Sequence, residues 1–136
     1  MSAGYSKTPL VKKLGIKPGF NIYFANPPDN LQTLLGELPE NVTLLNKLKG
    51  PVNYIHLFTK SKEELQTQFP ILKEALMQNG LLWISWPKKA SKVTTDLDEN
   101  IVRGIGLRNG LVDVKVCAVD ESWSGLKFVY RLKDRK

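Results

Sequence analysis

The chain has 136 residues, enough for one domain with a core and too few for two. Apolar residues make up 42% and charged residues 24%, close to an ordinary globular average, which excludes wholesale disorder. Lys and Arg number 20 against 13 Asp and Glu, and the net charge of +7 favours anionic neighbours without naming one.

Thr8 and Pro9 read as the N-cap and first-turn proline of a short helix over residues 10–14, closed by Gly15. Lys17, Pro18 and Gly19 turn the chain into a strand over 20–25, rich in aromatic and branched residues and stopped by Asn26-Pro27-Pro28-Asp29-Asn30. Leu31, Leu34, Leu35 and Leu38 recur at helical spacing up to the break at Pro39, and 42–45 is a weaker strand. The run 51–59 has little polar alternation and suits a strand covered on both faces. Ser61 and Glu64 form a capping box. The helix they open has a stripe of Leu65, Phe69, Leu72 and Leu76, with Pro70 expected to divide it and Gly80 to cap it. A buried strand over 81–86 leads into the polar loop 87–92. Leu97, Ile101 and Ile105 mark a helix ending near Asn109 and Gly110, and strands over 112–119 and 126–132 flank the turn 120–125.

Strands alternating with helices, then a terminal hairpin, predict an α/β fold: a three-layer Rossmann-like sandwich, its mixed, mostly parallel sheet ending in an antiparallel hairpin, as one domain over 1–136. One junction stays open. Only 46–50 separates the strand at 42–45 from that at 52–59, whereas a parallel crossover usually needs a dozen residues or more. Cys117 stands alone, so no internal disulfide forms, and Met1 to Lys7 lacks the apolar stretch of a secretory signal. The expected compartment is the reducing cytoplasm, and no apolar run is long enough for a membrane-spanning helix.

From Val52 onward, the order of strand, helix, strand, helix and hairpin resembles the second half of class I S-adenosylmethionine-dependent methyltransferases, in which a seventh strand runs antiparallel within the sheet. That family carries an acidic residue and a glycine-rich turn after its first strand, where this chain has Asn26-Pro27-Pro28-Asp29-Asn30 and no glycine until Gly36. Prolines supply neither close backbone approach nor free N–H groups. Where the family places a carboxylate for the ribose hydroxyls, this chain has Asn46, so no cofactor is expected. Three blocks, Lys13 to Gly19, Leu82 to Lys88 and Trp123 to Leu126, resemble the signatures of a small uncharacterised bacterial family, a domain of unknown function. That likeness implies a Rossmann-like fold and carries no catalytic residue.

Asn26-Pro27-Pro28 partly matches the Asn-Pro-Pro-aromatic motif of amino-group methyltransferases, but Asp29 replaces the aromatic, and a strand-ending turn is the simpler reading. Gly104, Gly106 and Gly110 fail as a dinucleotide fingerprint because they precede a strand. His56, within an apolar run, reads as a hydrogen-bonded core histidine, and Cys117 as a buried thiol. No catalytic or metal-ligand spacing is visible. Trp86, Lys88, Lys89 and Ser91 leave the carboxyl end of a central strand, where α/β sheets bind ligands, and could hold a phosphate or carboxylate beside an aromatic ring. Trp123, placed in a polar turn, is a second contact candidate. These residues point to a non-enzymatic domain or one binding a small anionic ligand. The alternatives are an unorthodox small transferase with a nucleotide-like cofactor, or a nucleic-acid accessory protein if Lys12, Lys13, Lys17 and the basic C-terminal residues share a face.

Overall fold

The structure, a computed structural model, describes residues 9–135. Branched and aromatic runs supply six strands: β1 (Asn21–Ala25), β2 (Thr43–Leu44), β3 (Val52–Phe58), β4 (Leu76–Pro87), β5 (Leu111–Ala118) and β6 (Trp123–Tyr130). They form one sheet in the order β2-β1-β3-β4-β6-β5. The first four run parallel, and β6 is antiparallel to both β4 and β5. The open junction resolves here, because β2 and β3 are not neighbours. The strand β1 lies between them, and β2 is only two residues long, so a short link suffices, with Leu45 and Leu48 packed against the core.

Helices cover both faces. On one, α3 (Lys62–Ala75) and α4 (Glu99–Arg108) press Leu65, Phe69, Leu72, Val102 and Ile105 onto Ile55, Leu57, Leu82, Ile84, Leu126 and Phe128. On the other, the five-residue helices α1 (Leu10–Leu14) and α2 (Leu31–Leu35) cover Ile22, Tyr54 and Trp83. Alternation along β4 enforces this division, sending Leu82, Ile84 and Trp86 one way and Trp83 the other. The result is the expected three-layer α/β arrangement. At the outer edge, β5 carries a register irregularity between Asp113 and Lys115, next to exposed Val114.

Half of the expected capping box forms, because the Ser61 N–H goes to Thr59 Oγ1 at 3.2 Å and Glu64 Oε1 accepts the Thr59 hydroxyl instead. Ser61 Oγ accepts the Glu64 N–H at 3.1 Å, satisfying a donor that the first helical turn leaves free. Ser61→Ala is expected to lower stability by about 1 kcal/mol, measurable by urea denaturation, and an unchanged midpoint would show that the cap contributes nothing.

Three expectations need correction. Pro70 does not divide α3: it is exposed, and the carbonyl it leaves without a donor belongs to the exposed Gln66 and is open to water, while the buried stripe continues across it. Gly80 is not the cap. The helix ends at Ala75 and β4 begins at once with Leu76, which pairs with Val52, while Tyr54 pairs with Leu81. The four residues between Leu76 and Leu81 thus face a single residue of β3, and Gly80 lies where a Cβ would come 2.9 Å from the Asn53 carbonyl oxygen. Trp123 lies in no polar turn but opens β6, because Asp120 Oδ1 accepts the N–H groups of Ser122 and Trp123 (2.8 Å each) and closes the hairpin earlier than the glycine at 125 implied. The N-cap expected at Thr8 lies outside the described residues. Pro9 stands at that position in extended conformation, and Gly15 closes α1 with φ of 87°.

Candidate functional site

The parallel strands β1, β3 and β4 end along one edge, where the loops 26–30, 59–61 and 88–92 emerge. After β1 the chain turns through Asn26 at φ 54°, a left-handed conformation that asparagine tolerates better than most residues. The bend expected of a glycine is therefore made without one. Beside it, an apolar cleft of about 370 Å³ lies between β1, β2 and α2, lined by Ile22, Phe24, Leu31, Leu35, Leu38 and Leu44, with Gln32 as its polar side chain.

A larger cleft, about 800 Å³, opens beside the end of β4. Trp86 and Lys89, both singled out in the sequence, line it together with Lys92, Thr94, Thr95 and the acidic run Asp96, Asp98 and Glu99 at the start of α4. Within 93–98 the sequence singles out Leu97 alone, as a helix residue, whereas α4 begins at Glu99 and Leu97 is buried just before its cap Asp98, an aspartate three residues ahead of the apolar Ile101. The acids of this run are occupied. Asp96 Oδ1 accepts the Lys62 N–H at 2.8 Å, Asp98 Oδ1 caps α4 through the Ile101 N–H at 2.8 Å, and Glu99 pairs with Arg103 at 2.6 Å. Arg103 also reaches Asp113 at 2.9 Å, and these two carboxylates hold its guanidinium above its ordinary value. Among the described residues no carboxylate lies within ion-pair distance of Lys89 or Lys92.

Of the other candidates, Lys88, Ser91 and Trp123 do not line this cleft. Ser91 Oγ donates to the Lys88 carbonyl at 2.6 Å and accepts the Val93 N–H at 3.2 Å, so it closes the short 3-10 turn Lys89–Ser91. Lys88 is extended, its N–H donating to the Ser122 carbonyl at 2.8 Å. Trp86 is only 5% exposed and belongs to the core on the α3 and α4 side. Trp123 faces the other way. It stands opposite Pro87 in the ladder and meets Phe58 edge-on at 5.2 Å, so the two tryptophans lie on opposite faces of the sheet.

Between the clefts runs a sealed polar chain. The Tyr54 hydroxyl and His56 Nδ1 are 2.9 Å apart, and His56 Nε2 and Ser85 Oγ are 2.7 Å apart. All three residues are fully buried, and the imidazole stacks on Phe58 at 4.2 Å. Burial alone lowers the imidazole from 6.5 to about 3. His56 is thus a neutral core histidine with both nitrogens satisfied. Among the described residues no buried side-chain nitrogen or oxygen lacks a partner, no group of three or more His, Cys, Asp or Glu could hold a metal ion, and no helix is long and apolar enough to cross a membrane.

No family model matches the chain, and neither does any curated protein. Solved structures do match. The magnesium protoporphyrin IX methyltransferase of Synechocystis PCC 6803 with bound SAM aligns at a TM-score of 0.60 and 13% identity, covering 90% of this chain and 74% of that one. The precorrin-6y C5,15-methyltransferase of Geobacter metallireducens GS-15 gives 0.60 and 8%, covering 90% and 86%. Fibrillarin from Aeropyrum pernix with natively bound S-adenosyl-L-methionine gives 0.57 and 14%, covering 93% and 70%. At such identities the likeness is one of fold. The Rossmann-like, class I methyltransferase topology expected from the order of elements is the topology of this protein.

Proposed function

We propose that the chain is an unorthodox methyltransferase-like domain that takes a nucleoside-type cofactor at the carboxyl ends of β1 and β2 and an anionic second ligand in the cleft of Lys89 and Lys92. The observation that carries this reading is the strand order β2-β1-β3-β4-β6-β5, a sheet likeness shared with structures that contain bound S-adenosylmethionine. Strand ends of an open α/β sheet are where such ligands bind.

The residues suit one half of that cofactor better than the other. A cleft of about 370 Å³ walled by Phe24, Leu31, Leu35 and Leu44 has the size and apolar lining for a nucleoside ring system. The left-handed Asn26 lets the backbone bend away beside it. Pro27 and Pro28 lack N–H groups, so the charged amino-acid portion of S-adenosylmethionine has no backbone cradle here. Such a cofactor, when bound, supplies an activated methyl group. The chain's own part is to orient both ligands: apolar walls exclude water from the ring, and the ammonium groups of Lys89 and Lys92, free of carboxylate partners, fix an anion.

The second reading, a non-enzymatic domain that binds small anions only, draws on the two prolines and on the acids of the larger cleft, each already holding a backbone N–H or an arginine. Calorimetric titration separates the two. S-adenosylmethionine, S-adenosylhomocysteine and adenosine are expected to bind the native chain and to lose binding in Leu44→Trp, which fills the small cleft from an exposed position and leaves the melting temperature nearly unchanged. Heat with inorganic phosphate that disappears in Lys89→Ala/Lys92→Ala, with none from any adenosine compound at millimolar concentration, would establish the second reading instead.

A further inference from the structure

We infer that the face where α1 crosses β5 and β6 is a docking surface for the phosphate backbone of a nucleic-acid duplex, held by Lys12, Lys13, Lys17, Lys115 and Lys127. Three stretches distant in sequence converge there. Lys115 and Lys127 stand opposite each other in the β5–β6 ladder. The Lys115 ammonium donates to the carbonyl of Lys13 at 3.1 Å, and the Lys127 ammonium lies 5.9 Å from the centre of the Trp83 ring. That ring is tied to α1 through an indole N–H donated to the Leu14 carbonyl at 2.8 Å.

Such an arrangement opposes folding. Like charges directly across a ladder destabilise it, and the Lys127 ammonium is held below its ordinary value by burial and by the neighbouring Lys115 and Lys17. Among the described residues neither carboxylate of the Arg103 ion pairs, Glu99 or Asp113, is paired with these lysines. The exposed Glu40, whose carbonyl accepts the Gly19 N–H at 2.9 Å, stands at the margin beyond Lys17. A polyanion would supply opposite charge at every lysine together.

The surroundings select the kind of polyanion. The aromatic ring beneath Lys127, Trp83, is fully buried, so it offers no face on which an unpaired base could stack. The described helices on this side of the sheet, α1 and α2, have five residues each and pack against it, so neither is a recognition helix for a groove. Contact is therefore with phosphates and independent of sequence. An anionic membrane would need long apolar or aromatic side chains among the lysines, and the exposed apolar neighbours of Lys115 are the short, branched Val114 and Val116.

Fluorescence anisotropy with a short labelled DNA duplex and its RNA counterpart tests this. If about four phosphates are engaged, affinity is expected to fall roughly 100-fold between about 50 and 200 mM salt. The variant Lys12→Gln/Lys17→Gln/Lys115→Gln removes three exposed charges and is expected to flatten the logarithmic salt slope by about 3. Lys47→Gln/Lys49→Gln/Lys60→Gln, with the same net charge but neutralised elsewhere, should leave the slope intact. If the first variant fails to fold, Lys12→Gln/Lys17→Gln carries the test with a slope change of about 2. Absence of duplex binding would overturn the proposal, as would equal losses in both triple variants, or binding of phosphatidylserine vesicles through these lysines without duplex binding.

Discussion

Lowering the pH from 7 towards 3 is expected to remove several kcal/mol of folding stability through one side chain, His56. The imidazole is fully buried between Phe24, Phe58 and Trp83, and its polar contacts are the neutral hydroxyls of Tyr54 and Ser85. A proton added there brings a charge with no counter-ion, which is why burial lowers the group to about 3. In the unfolded chain the same ring titrates near its ordinary 6.5. Between these two values the unfolded state binds more protons. The stability associated with neutral His56 is therefore fully present above pH 6.5 and is lost progressively as pH falls towards 3. The whole window amounts to roughly 5 kcal/mol at about 1.4 kcal/mol for each pH unit.

The control is His56→Phe. It leaves the Tyr54 and Ser85 hydroxyls without their ring partner, at a cost of about 1–3 kcal/mol for each buried group, so the variant is less stable at pH 7. Its surface carboxylates still titrate, and only the histidine contribution is gone. Urea denaturation of both proteins at several pH values should show the stability gap narrowing by roughly 3 kcal/mol on reaching pH 4. A gap that stays constant over that range would mean that His56 is not held neutral in the core.

A comparably large effect is expected from a single methyl group on α4. A Cβ at Gly106 would lie 2.0 Å from Phe128 Cε1 and 2.5 Å from Cζ. That ring cannot step aside, because it is fully buried and meets Phe69 edge-on at 5.4 Å. Gly106→Ala gains about 1 kcal/mol in helix propensity. Overpacking costs up to about 3 kcal/mol, so the net loss is about 2 kcal/mol, a fall in melting temperature of roughly 8 °C. Gly104→Ala provides the contrast, since its Cβ would meet only the flexible Arg108 guanidinium at 3.2 Å. That variant should melt slightly above the native chain. If Gly106→Ala did so as well, α4 could not be seated on β6 as closely as described.

These two residues also mark how far the sequence can be read. The apolar run 52–58, the Ser61 and Glu64 box and the terminal hairpin encode local preferences that tertiary packing reinforces, and so β3, the start of α3 and the β5–β6 pair were legible. His56 was legible as a core histidine because its neighbours in the strand are apolar, but its partner Ser85 is distant in sequence and emerges only from the β3–β4 pairing. The direct passage from α3 into β4 was hidden. Gly80 offers an ordinary helix stop, and the pairing of Leu76 with Val52 is a long-range interaction that outweighs it.

The candidate site was half legible for a related reason. Alternation along one strand fixes which of its residues share a face, but the relation of β4 to β6 depends on register. Pro87 pairs with Trp123 and Trp86 with Ser124, a difference of one position, which separates the two indoles by the thickness of the sheet. Lys89 was found because it follows a strand end, whereas the acids of 96–99 approach from the next helix.

The mismatch between Leu76 and Leu81 gives β4 a reserve of chain length. Gln78 and Asn79 sit exposed in the surplus stretch, outside the paired positions that aim Trp83 and Ser85. Relatives that gained or lost a residue here could keep both the helix before it and the inward pattern after it, because the change would be absorbed before the ladder resumes. The same insertion after Leu82 would exchange the two sides of the strand, moving Trp83 and Ser85 to the opposite layer. Natural length variation in this protein should therefore gather at one bend and be missing from the five residues that follow Leu82.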